Sequence, residues 1–66
     1  MDRELSAIRK ALEVQGFTTR VTAKGHLFVT LEGTPVTTFS GTPSDSRSRR
    51  NSLAECKRRG FRWPST

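Results

Sequence analysis

The sequence predicts an α+β domain in the order α-β-β-β-α, with a three-stranded antiparallel sheet and both helices packed on one face. Three observations carry this. Apolar residues recur at helical spacing over residues 2–15, residues 17–22 and 26–31 alternate with a period of two around a glycine-containing loop, and a basic helical stretch ends at Gly60. With 66 residues the chain makes one domain, 1–66, and a domain this small buries only about 60% of the surface its unfolded chain exposes. Any chemistry must therefore sit on an open face and use few groups.

In the first helix Leu5, Ile8, Leu12 and Gln15, with Ala11 beside them, form one stripe, while Arg3, Arg9, Lys10 and Glu13 fall mostly on the other side. Asp2 and Glu4 suit its positive N-terminal end, and Gly16 supplies its stop. In the first strand Phe17, Thr19 and Val21 form the dry side. Ala23-Lys24-Gly25 fits a three-residue hairpin loop with glycine in the left-handed position. The second strand, His26 to Leu31, has Leu27, Val29 and Leu31 on one face and His26, Phe28 and Thr30 on the other. Glu32-Gly33 turns the chain into a third strand over residues 34–40, where Pro35 fits only near a strand start or an edge. Thr42 as N-cap, Pro43 at the first helical position and Asp45 three residues after the cap open the second helix, which runs to about Arg59. The expected core is Leu5, Ile8, Leu12, Phe17, Val21, Leu27, Val29, Leu31, Leu53 and Phe61, with Phe61 and Trp63 folding back to complete it.

The net charge of +6 favours an anionic partner. Residues 1–33 hold five Lys/Arg against four Asp/Glu and residues 34–66 hold seven against two, so +5 of the charge lies in the second half. The second helix has too little apolar face to insert into a membrane, with Leu53 its only large aliphatic residue. The single cysteine, Cys56, has no internal disulfide partner and reads as a packing residue. With one His and one Cys no nitrogen-and-sulfur zinc site can be assembled, so no metal or cofactor is expected. No charged-then-apolar leader is evident, and the chain reads as cytoplasmic.

His26 is the only histidine. An unperturbed imidazole titrates near pH ~6.5 and both accepts and donates a proton at neutrality, which suits abstraction of an RNA 2′-hydroxyl proton without a metal. The bland alternative is a surface histidine with no role. Lys24, in the adjoining loop, can meet a phosphate. Arg47, Arg49 and Arg50 lie near the positive end of the second helix, where guanidinium groups suit phosphates; their spacing covers more than one face, with Arg47 and Arg50 sharing one. Phe28 is placed either to stack on an unpaired base or to be covered by its neighbours.

The order of elements, the Gly16-Phe17 junction and the run Lys24-Gly25-His26-Leu27-Phe28-Val29 resemble the HicA-like toxins. These are small messenger-RNA interferases with a double-stranded-RNA-binding-like fold. The family strand typically begins Gly-Ser-His, whereas here glycine directly precedes His26. The resemblance implies a metal-independent endoribonuclease with His26 as the catalytic group, and a cognate antitoxin as partner. The arginine-rich second helix looks like that of short actinobacterial or phage members. Two other readings remain open: a module that grips nucleic acid without chemistry, and a phage accessory protein that binds an acidic host protein.

Overall fold

The structure, a computed structural model, describes residues 2–42 and 46–64. Helix α1 (Arg3–Val14) is followed by β1 (Thr18–Val21), β2 (Leu27–Leu31), β3 (Thr34–Phe39) and helix α2 (Ser46–Arg58). The strands form an antiparallel sheet in the order β1-β2-β3. The expected α-β-β-β-α architecture is therefore the observed one.

Both helices end in the same way. Gly16 and Gly60, each at φ +96°, follow the last helical turn. Phe17 N–H then donates to the Leu12 carbonyl and Phe61 N–H to the Cys56 carbonyl, while each glycine N–H returns to the helix at Glu13 or Lys57. This six-to-one and five-to-two pattern directs a phenylalanine inward at each helix exit. The two rings meet edge to face at 5.8 Å, and Trp63 stacks on Phe61 at 6.1 Å. Gln15 fastens the tail further, donating to the Arg62 carbonyl and accepting from the Arg62 N–H.

The two hairpin loops are set by backbone handedness. Gly25 N–H donates to the Thr22 carbonyl, and Gly25 takes φ +82° in the expected three-residue loop. Glu32 and Gly33 both have positive φ, +52° and +81°, and Leu31 pairs with Thr34. That is a two-residue turn whose twist matches the strands it joins.

The core lies between one sheet face and the helices. It comprises Leu5, Ile8, Ala11, Leu12, Phe17, Leu27, Val29, Phe39, Cys56 and Phe61, with Leu31, Val36, Leu53 and Trp63 partly buried against it. Val21 departs from expectation and is 40% exposed. It ends an outermost strand and has a cross-strand neighbour, Leu27, on one side only. Phe39 takes the buried place across from Leu27, because the β2-β3 register slips near Val36: Val29 faces Thr37 but Thr30 faces Pro35. A β-bulge of this kind reverses which residues of β3 face inward. Without it, Val36 and Thr38 would share the face of Thr34 and Phe39 would point outward. The second-helix start expected at Thr42, Pro43 and Asp45 falls partly outside the described residues; the helix is described from Ser46.

Candidate nucleic-acid interface

Leu27 and Val29 are fully buried against the helices, so strand alternation turns Phe28 and Thr30 to the opposite, helix-free face. Directly opposed residues share a face in an antiparallel pair. The registers Arg20↔Phe28↔Thr38 and Thr18↔Thr30↔Pro35 place all six residues there. Arg20 is exposed, and its guanidinium carbon lies 6.0 Å from the centre of the half-buried Phe28 ring, a cation–π geometry.

His26 immediately precedes β2 and is half-buried. Its backbone is pinned to the residue that follows β1: Thr22 N–H donates to the His26 carbonyl at 2.7 Å, and His26 N–H donates to Thr22 Oγ1 at 3.1 Å. Extending both registers by one step sets His26 between Thr22 and Ser40, two positions along from Phe28 on the same face. The far side is equally tight. A Cβ at Gly41 would collide with the Gly25 carbonyl, so the glycine lets two backbones approach closely next to the histidine. Among the described residues the imidazole itself makes no hydrogen bond. Lys24 is exposed in the adjoining loop.

The second helix divides its arginines. Arg49 is only 6% exposed. Its Nη1 and Nη2 donate to the two Asp2 carboxylate oxygens at 3.1 and 2.7 Å, and Nη1 also donates to Glu4 at 2.8 Å. Arg49 thus ties α2 to the first turn of α1 and is occupied there. Its Nε is buried and has no hydrogen-bond partner among the described residues. Arg47 and Arg50, three residues apart, are both exposed. However, α2 packs on the core side of the sheet, where Ser52 Oγ donates to the Thr38 carbonyl and Cys56 is fully buried. The candidate phosphate-binding cations consequently fall in two regions. Arg20 and Lys24 accompany His26, while Arg47 and Arg50 belong to the helical side.

Arg20 is the site residue that the one-dimensional pattern did not single out. The signal was present: a three-residue loop at 23–25 pairs residue 22 with 26 and hence 20 with 28. Cys56 is confirmed as a packing residue. Burial, with a smaller push from Glu55, raises its thiol to about 11, so it is not a thiolate near neutrality. Among the described residues no group of three His, Cys, Asp or Glu could hold a metal ion, and no helix is long and apolar enough to cross a membrane.

The chain matches no family model, no curated protein and no solved structure. The likeness to HicA-like toxins therefore rests on element order, the Gly16-Phe17 junction and the His26 strand motif alone.

Proposed function

We propose that this is a small RNA-binding protein acting as a metal-independent endoribonuclease, with His26 as the general acid/base. The observation that supports it best is the helix-free sheet face of Arg20 and Phe28, which His26 adjoins at the start of β2 with an imidazole that makes no hydrogen bond among the described residues, and with Lys24 in the neighbouring loop. The neutral imidazole takes the 2′-hydroxyl proton, and the 2′-oxygen attacks the adjacent phosphorus. Arg20 or Lys24 offsets the added charge on the phosphorane. The 5′-oxygen leaves with the proton returned by the imidazolium, giving a 2′,3′-cyclic phosphate and a 5′-hydroxyl. A cognate antitoxin would be an acidic protein that covers this face.

The second reading is a non-catalytic nucleic-acid-binding module. Arg47 and Arg50 favour it, because exposed cations on one helix suit phosphates without any chemistry. An accessory protein that binds an acidic host partner would use the same cations. Incubating the protein with RNA in EDTA, beside His26→Ala, separates chemistry from binding. Wild-type protein is expected to produce cyclic-phosphate ends, and His26→Ala to lose on the order of 100-fold or more in rate. RNA that stays intact at excess protein would overturn the enzyme.

A further inference from the structure

Phe28 and Arg20 form a second feature of the outer face, separate from the histidine. A shallow depression there is lined by Thr18, Thr19, Arg20, Phe28 and Thr30. Phe28 is its only apolar floor, and the Arg20 guanidinium stands 6.0 Å from the ring centre. Aromatic rings and guanidinium planes are the surfaces on which a nucleobase stacks, and the exposed Arg20 guanidinium, which lies over the Phe28 ring, is part of that stack. The rim supplies polar groups of both kinds. Thr18 and Thr30 present hydroxyls, and Thr22 pairing with His26 through hydrogen bonds sets the alternation of β1, which turns the Thr19 backbone N–H and C=O to the open edge of the sheet. None of the outer-face positions identified by the registers is acidic, so the charge there, from Arg20, complements a phosphodiester chain.

We infer that Arg20 and Phe28 make a stacking subsite for one unpaired nucleobase, and hence that the substrate class is single-stranded RNA. This rests on the RNA reading above and names its substrate. Two strand positions separate Phe28 from His26, a distance of roughly 7 Å. A base seated on Phe28 therefore belongs to a nucleotide next to the phosphate that faces the imidazole. An A-form duplex cannot use the subsite, since its base faces are stacked inside and its surface offers only phosphates, 2′-hydroxyls and base edges.

Binding is measured by fluorescence anisotropy in the His26→Ala protein, which keeps the RNA intact, using a short labelled single strand and the same strand annealed to its complement. Phe28→Leu keeps the apolar cover but loses the π-face, and Phe28→Trp keeps both; thermal melting of each variant reports whether it is folded. The single strand is expected to bind more tightly than the duplex. Phe28→Leu and Arg20→Ala should each weaken single-strand binding on the order of tenfold, with Phe28→Trp near the parent and duplex binding little changed by Phe28→Leu. Equal single-strand binding by folded Phe28→Leu overturns the subsite while leaving His26-dependent cleavage standing. Duplex binding as tight as the single strand overturns the substrate class. Failure of the wild-type protein both to bind and to cleave RNA removes the underlying functional reading as well.

Discussion

Asp2 serves two purposes at the start of α1. Its carboxylate accepts from the Leu5 N–H at 2.9 Å as the helix N-cap, and it also receives the Arg49 guanidinium. Those contacts, Arg49 first and the Leu5 amide second, hold its carboxyl below the usual carboxylate range. A group with a depressed folded-state pKa stabilises the fold above its unfolded value, and that stability is lost as pH falls through the lower folded value. Thermal melting followed down from pH 7 should thus show stability falling below about pH 4. Arg49→Met should lower the melting temperature at pH 7 and flatten that acid-side slope. An unchanged slope would mean that the pair does not set the Asp2 titration. Arg49→Lys should restore the fold only in part, because an ammonium cannot reproduce the two-pronged contact. Glu32 is a second informative residue. It stands at φ +52° without the side chain that suits such a turn, so Glu32→Asn should stabilise the protein by about 1 kcal/mol in chemical denaturation. No gain would mean that the carboxylate has a compensating role.

At the level of elements, the sheet is held to the helices by specific polar links as well as by apolar contact. Thr19 Oγ1 donates to Glu13 at 2.6 Å and accepts from Arg9 at 3.2 Å, which joins the edge strand to α1. Ser52 joins α2 to β3 in the same manner. The point of least tolerance is the crossing of Gly41 and Gly25. Gly41→Ala should cost more than an ordinary surface substitution, about 2 kcal/mol or more, because backbone atoms rather than a flexible side chain must move. Since His26 adjoins Gly25, the same variant should shift the His26 ring resonances in NMR spectra. Most of this element layout is legible one-dimensionally. Periodicity, loop length and helix-ending glycines are local properties, and they place all five elements and the face of Phe28. The β3 bulge is not legible, because both phases of the alternation over Thr34–Phe39 look equally acceptable in a threonine-rich strand.

For the whole molecule, the small core leaves little reserve. Leu12 and Val29 have no exposed surface, and truncating either to Ala should cost about 2 to 4 kcal/mol, measured by chemical denaturation. A domain of this size rarely has more than about 3 to 5 kcal/mol to lose, so Leu12→Ala should be substantially unfolded at physiological temperature. Nucleic-acid affinity, in turn, should fall steeply with salt as counterions are released. The two cationic regions separate in this test. Arg47→Glu with Arg50→Glu should weaken binding to many sequences about equally if the helical side carries phosphate contacts, while Arg20→Ala should act mainly on single strands. Salt-insensitive binding would exclude phosphate contacts as the main source of affinity.

Taken by itself, the sequence determined what depends on neighbours close along the chain: element order, the glycine-ended helices, the left-handed loop positions and the turning of Phe28 away from Leu27 and Val29. It also identified Cys56 as a packing residue. Tertiary structure decided what depends on partners far apart. Arg49 meets Asp2 across 47 positions, which withdraws one of three candidate phosphate-binding arginines from the surface. Phe39 enters the core through a register slip, and Val21 stays exposed at the rim. Arg20 reaches Phe28 only through strand pairing. The physical reason is common to all four. Helical and strand periods tell which residues share a face, but the partner of that face is chosen by packing and by the need to pair a buried charge, and neither is written in any short stretch of chain.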